Sequence, residues 1–239
     1  MSSELTKRIF TSLILLVVAF SFFIYSNLDF FLYFFIFIGI VCYGEWHVTN
    51  SLMLKKFNNG FEPYFPEIFK SVNFYKSFSI YLFGFIYFLL IVPISAFYLR
   101  EEVSLNFFLL IVIICIFSDV GGYVFGKTIG GKKLTKISPN KTIAGSIGSF
   151  FFSILPIIFI NLFNKGTAFI ELNVVNILFS LFVSFICQLG DLFFSYFKRL
   201  NKKKNTSNLL PGHGGLLDRI DGLVIVLPIV FLIKFFETF

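Results

Sequence analysis

Long apolar runs alternate with short polar stretches along this chain, and the length of the runs is the informative quantity. A helix needs about 20 mostly apolar residues to cross a bilayer. Seven runs come near that length: 9–25, 28–43, 77–99, 105–125, 145–163, 173–197 and 222–237. None alternates polar and apolar positions as the strands of a membrane barrel do, so the pattern predicts helices. The second run is short, as a tilted or re-entrant segment would be. The fourth carries Gly121-Gly122 near its end, where the sequence allows either a break or continued helix. The stretch 44–76 mixes aromatic residues with lysines, a composition suited to the headgroup layer. The run at 9–25 continues into further spans and has no small-residue cleavage site, so it reads as a retained helix.

Composition strengthens this picture. Of 239 residues, 57% are hydrophobic, 14% are charged and 39 are Phe; the mean hydropathy is +0.87. A water-soluble domain of this size could not bury so much apolar surface, so lipid must cover it. The expected fold is all-α: a polytopic membrane bundle of about seven to nine spanning or re-entrant helices. With no internal repeat and no long linker, residues 1–239 read as one integral domain. Its N-terminal helices, about 1–76, would be peripheral to a core at about 77–239. Cys42, Cys115 and Cys187 lie in or beside apolar runs without metal-type spacing, which reads as buried structural thiols.

Charge supplies the orientation. Lys7 and Arg8 precede the first run; Lys55, Lys56, Lys70 and Lys76 lie in 44–76. Lys127, Lys132, Lys133, Lys136 and Lys141 lie in 126–144; Lys198, Arg199, Lys202, Lys203, Lys204 and Arg219 lie in 198–221. Only Arg100, Lys165 and Lys234 stand apart. With seven spans, all four basic segments fall on one side, which the positive-inside rule makes cytoplasmic.

Two of these segments hold most of the chemistry-bearing residues. The stretch SDVGGYVFGKTIGGKKLTKISPNKTIAG, 118–145, combines glycines, which let backbone amides approach an anion, with lysines that neutralise it. A phosphate-bearing ligand is the natural partner. Gly121 to Thr128 also match the Walker A pattern, but a long apolar run precedes them and bulky residues fill the interior, so that reading is rejected. Asp119 ends an apolar run, where a carboxylate at the bilayer centre would cost about 2.5–3.5 kcal/mol; a functional acid and a structural ion pair are equally open. The second stretch, QLGDLFFSYFKRLNKKKNTSNLLPGHGGLLDRID, spans 188–221. On a helix, Asp191, Ser195 and Lys198 share a face, as do Asp218 and Asp221. Carboxylates near phosphates form the usual oxygen cage of Mg²⁺. Glu45 reads as a carboxylate snorkelling from its span, and His47 as a surface residue.

The segment from Ser195 to Asp221, with its S-Y-F-K-R, K-N and P-G-H-G-G-x-x-D-R-I-D elements, resembles the C-terminal motif of the phosphatidate cytidylyltransferase family. The GDL at 190–192, the FGKTIGGKKLTKISPNKT at 125–142 and, more weakly, the EW at 45–46 are also similar to that family. The resemblance implies a membrane nucleotidyltransferase of phospholipid biosynthesis. It would join CTP and phosphatidate with Mg²⁺, and a second cation allowed, to give CDP-diacylglycerol and pyrophosphate. It implies a homodimer, no nucleic-acid partner, and an active site facing the cytoplasm in a bacterial-type inner membrane. Carried over by position, Asp191, Asp218 and Asp221 resemble metal ligands, and Asp218, Asp221, Lys198 and His213 catalytic residues. Lys127, Lys141, Ser195, Arg199, Lys204, Gly212, Gly214, Gly215 and Arg219 resemble substrate-binding positions. The chain departs from the family at Asn205, where Asp is common, and at Ala144 and Phe194, where Glu is common. Three rival readings follow: another CTP-dependent, kinase-like lipid enzyme, a catalytically weakened relative, and an anionic-solute transporter.

Overall fold

The computed structural model describes residues 27–59, 78–135, 137–163, 169–210 and 214–237, with side chains through Asn50 in the first of these. All their extended regular elements are helices: α1 (Leu28–Asn59), α2 (Phe78–Val103), α3 (Leu105–Thr128), α4 (Ile143–Phe163), α5 (Val174–Leu200) and α6 (Leu217–Glu237). The all-α expectation holds. Five stretches, Leu28–Asn50 and the whole of α2 to α5, are long and apolar enough to cross a membrane. The chain is an integral membrane protein. The expected span at 9–25 lies outside the described residues. The one at 222–237 is helical, but its helix carries Asp218, Arg219, Asp221, Lys234 and Glu237, so the described residues support five apolar spans.

Contacts gather the chain into two compact units. One comprises residues through Phe97 together with Phe197–Ile220; the other comprises Tyr98–Tyr196 together with the residues from Asp221 on.

In the first unit, α1 does not stop at residue 43 but runs on to Asn59. The polar residues that end the hydropathy run are buried inside protein rather than exposed in a loop. Phe31, Phe35, Cys42, Glu45, Trp46, Thr49 and Asn50 are all buried. They recur at helical spacing on one face. Trp46 Nε1 donates to Ile80 O at 3.1 Å, and Asn50 Nδ2 to Trp46 O at 2.9 Å. On the other face Phe30, Tyr33, Phe37 and Ile40 are more than half exposed, as suits contact with acyl chains. His47 stacks on Tyr81 with ring centroids 4.6 Å apart. Pro93 has no N–H for the turn before it, and that turn, Tyr87–Ile91, widens into a π-helical one. A methyl group at Gly39 would collide with the Phe88 carbonyl in this wide turn, so α1 packs directly on its backbone.

In the second unit, Ser104 Oγ accepts from Phe107 N at 3.1 Å and starts α3. No break occurs at Gly121-Gly122; α3 continues through Thr128. The glycines serve close packing instead. A methyl at Gly121 would strike the Gly148 carbonyl, and one at Gly145 would lie 2.8 Å from Gly122 O. Small residues allow such backbone approach between membrane helices, and hydroxyls join them. Ser118 and Ser184 share a hydrogen bond at 2.7 Å, Ser146 Oγ donates to Gln188 Oε1 at 2.5 Å, and Ser180 Oγ donates to Ser153 O. The helix α5 meets α6 as closely: a methyl at Gly190 would lie 3.0 Å from Asp221 O, and one at Gly222 would collide with Cys187.

Candidate active site

In the first unit the motif residues fold into a turn between α5 and α6. Lys202, with φ 54°, ends α5 in the left-handed conformation. The chain then doubles back, and Leu210 and Gly214 exchange backbone hydrogen bonds at 2.8 and 3.2 Å. Lys198 Nζ pairs with Asp218 Oδ1 at 2.7 Å, with side chains only 8% and 9% exposed. Asp218 Oδ2 accepts from Thr206 N at 2.9 Å, Gly215 N at 3.0 Å and Thr206 Oγ1 at 3.1 Å. Burial alone would push the Asp218 carboxyl up, but the Lys198 ammonium and the Gly215 and Thr206 amides outweigh it. The carboxyl is held below its ordinary range.

Glu45 belongs to the same constellation, which corrects its reading as a snorkelling carboxylate. It is buried, and its oxygens accept from Thr206 Oγ1 at 2.9 Å, Ser207 Oγ at 2.6 Å, Leu216 N at 2.9 Å and Leu217 N at 2.8 Å. The last two are unsatisfied amides at the start of α6, so a side chain about 170 residues earlier caps this helix. Gly215 makes room for it: a methyl there would lie 2.5 Å from Glu45 Oε2. The signals in the sequence were an acid inside an apolar run and the weak EW match. The partners Thr206 and Ser207 carried no signal.

In the second unit Lys141 Nζ pairs with Asp191 Oδ2 at 2.5 Å, and Ser195 Oγ donates to Asp191 Oδ1 at 3.2 Å. The expected i, i+4 relation of Asp191 and Ser195 is therefore a contact. Lys141 is presented by a compact loop, in which Leu134 N donates to Lys141 O at 2.9 Å and Gly130 and Gly131 take positive φ. Asp221 is buried, and its Oδ1 accepts from Gly222 N at 2.9 Å. The backbone contact of Gly190 with Asp221 brings the chain beside Asp191 next to Asp221. Asp119 lies well inside α3, where Cys187 Sγ is 4.0 Å from its Oδ1.

The other expected positions are dispersed. Lys127 is exposed, with Nζ 3.4 Å from Tyr123 Oη, and the Walker-like stretch around it is uninterrupted helix. Arg199 Nη1 donates to Lys203 O at 2.7 Å; Lys204 and Arg219 are exposed. The amides of Gly214 and Gly215, which the motif offers for phosphate, donate within the turn to Leu210 O and Asp218 Oδ2. Gly214, at φ 86°, has Asp218 Oδ2 and Asn205 beside its missing side chain. Phe194 is core, 2% exposed. His213 and Gly212 lie outside the described residues.

Among the described residues, no three His, Cys, Asp or Glu side chains form a group that could hold a metal ion. Mg²⁺ does not need one, because it usually takes one or two protein carboxylates and completes its octahedron with water and substrate phosphates. The donor chemistry fits such an ion. Asp191 is 30% exposed at the side chain and its neighbour Gly190 abuts Asp221, so these two carboxylates can offer oxygens to such an ion, whereas both oxygens of Asp218 are already bonded to Lys198, Thr206 and Gly215.

Comparison with known proteins identifies relatives of this chain. Residues 64–236 match the model of the cytidylyltransferase family. Similar proteins include three called phosphatidate cytidylyltransferase. That of Staphylococcus saprophyticus is 38% identical over 143 residues, 58% of this chain and 54% of the relative. That of Rickettsia bellii is 36% identical over 149 residues, 60% and 64%. That of Staphylococcus aureus strain COL is 41% identical over 138 residues, 56% and 51%. The chain thus spans about half the length of the curated relatives it matches. The family match covers the loop that presents Lys141, both lysine–aspartate pairs and all of the turn leading into α6; this chain belongs to the cytidylyltransferase family.

Proposed function

We propose that this protein transfers the cytidylyl group of CTP to phosphatidate, yielding CDP-diacylglycerol and pyrophosphate, on the cytoplasmic face of the membrane. The observation that carries the reading is the pair of lysine-bound carboxylates, Lys198–Asp218 and Lys141–Asp191, in a chain of this family. The names of its relatives supply the acceptor.

A phosphate oxygen of phosphatidate attacks the α-phosphorus of CTP. The bond from that phosphorus to the oxygen bridging to the β-phosphate breaks, and pyrophosphate carries away the electron pair. Both reactants are polyanions, so positioning and charge neutralisation are the main tasks. Lys141, Lys127, Arg199, Lys204 and Arg219 offset phosphate charge. Lys198, held under Asp218, keeps the turn rigid. Asp191 and Asp221, which lie in one unit, would hold Mg²⁺, while Asp218 in the other is committed to its protein donors. When bound, the ion would supply electrostatic stabilisation of the charge developing on the leaving pyrophosphate. The basic cytoplasmic segments draw anionic lipid toward the site, worth about 1 kcal/mol per Lys or Arg near the surface.

Purified protein given Mg²⁺, phosphatidate and labelled CTP should form a cytidylyl lipid. Asp191→Asn and Asp221→Asn should each abolish turnover while the protein stays folded. Absence of product with every divalent cation tried, or full activity in both variants, overturns the proposal. Product with a lipid alcohol but not with phosphatidate would assign the acceptor to a hydroxyl.

A further inference from the structure

Glu45 is a buried carboxylate outside the proposed chemistry that accepts from four donors. Its four donors come from both ends of one turn. Thr206 and Ser207 stand where the chain leaves α5, and Leu216 and Leu217 where it enters α6. One side chain on α1 therefore clamps the mouth of the turn that carries Asp218. The clamp is coupled to the Asp218 carboxylate through Thr206. Its hydroxyl lies 2.9 Å from Glu45 Oε2 and 3.1 Å from Asp218 Oδ2, with a single proton to share between them, and its amide donates to Asp218 at 2.9 Å. Asp218 in turn holds Lys198 at 2.7 Å. The series Glu45, Thr206, Asp218, Lys198 is continuous at hydrogen-bond distance and lies within one compact unit.

From this series we infer that Glu45 is a positioning residue for nucleotidyl transfer. It fixes Thr206 and Ser207 against the start of α6 so that Asp218 and Lys198 keep the geometry the reaction needs. It is not a catalytic residue, because its oxygens are taken up by protein donors. The inference rests on the function proposed above. Carboxylate chemistry is required, not shape alone. A carboxylate accepts at both oxygens, whereas an amide of the same shape turns an NH₂ group toward one pair of donors and leaves a buried amide N–H without an acceptor.

The test compares Glu45→Gln, Glu45→Asp and Ser207→Ala in full-length protein in one detergent. Turnover is measured with CTP and phosphatidate, and hydrogen exchange at the amides of Leu216 and Leu217. Glu45→Gln should lower kcat at least tenfold with KM for CTP within about threefold. It should speed exchange at both amides at least tenfold and leave the melting temperature within a few degrees of the parent. Glu45→Asp keeps both acceptor oxygens and should recover a substantial part of kcat. Ser207→Ala removes one donor and should lower kcat about twofold to threefold. Full turnover in Glu45→Gln, or unchanged exchange at Leu216 and Leu217, overturns the inference. So does a loss of turnover that only follows a loss of folded protein and is not recovered in Glu45→Asp. If Glu45→Gln does not fold, unchanged turnover in Ser207→Ala overturns it. Should the parent protein make no cytidylyl lipid while the exchange rates respond as described, the functional reading fails and the clamp stands.

Discussion

Replacing Lys198 with Met tests the turn most directly. Met preserves the length and apolar stem of lysine and removes only the ammonium. Both Lys198 and Asp218 are under 10% exposed at the side chain, so water cannot replace the lost partner. Removing one member of a buried ion pair costs about 3–5 kcal/mol, because the other charge is left uncompensated. Here Asp218 Oδ2 retains donors in Thr206 N, Thr206 Oγ1 and Gly215 N, which places the expected loss near the lower bound, about 3 kcal/mol. For a chain of this size, about 2–4 °C per kcal/mol makes that a fall of about 6–12 °C in melting temperature. Trp46 is the chain's one tryptophan, and its ring lies 4.8 Å from that of Phe197 in the same unit. Its fluorescence therefore reports unfolding next to the altered residue. The pH profile adds a second readout. Asp218 is held below the ordinary carboxyl value of about 3.9. Its contribution is complete above that value and is lost as pH falls through the depressed folded value. In Lys198→Met the carboxyl rises toward or past the ordinary value, so the loss begins at higher pH. A Lys198→Met protein that melts within about 2 °C of the parent with the same acid limb would refute the reasoning.

Three further outcomes follow from packing. Gly215→Ala places a methyl 2.5 Å from Glu45 Oε2; it should destabilise by about 1–3 kcal/mol through overpacking and speed exchange at Leu216, both checked on the detergent-solubilised protein. Gly121→Ala drives a methyl into the Gly148 carbonyl and should lower the melting temperature more than Gly44→Ala, where no atom lies within 4 Å of a built side-chain carbon; equal effects would refute close α3–α4 packing as the role of Gly121. Deleting both hydroxyls of the Ser118–Ser184 bond by alanine substitution should cost about 0.6 kcal/mol, the average for hydrogen bonds within membrane bundles, read as a shift of one or two degrees.

Hydropathy alone located most of the apolar helices, because lipid removes every alternative to internal backbone hydrogen bonding. It placed α4 and α5 within a few residues of their observed bounds. It failed where protein rather than lipid or water surrounds the polar groups. The segment after residue 43 reads as a loop because Glu45, Trp46, Thr49 and Asn50 interrupt the run, yet these are the residues α1 buries. The Gly121-Gly122 pair leaves a break or continued helix open because glycine is a poor helix former, but the close approach of α4 offsets that weakness.

The candidate site divides along the same line. Local spacing already put Ser195 within reach of Asp191, and the motif already marked Asp218, Lys198 and Lys141, since such relations depend on helical repeat and residue type. No local rule could join Glu45 to Leu217, or Lys141 to Asp191. Those contacts exist because helices distant in sequence bury their polar faces together, and a carboxylate shut away from water must find its donors wherever the packing supplies them. Chemistry and helix positions were written into the order of residues; which charge meets which partner was decided by tertiary burial.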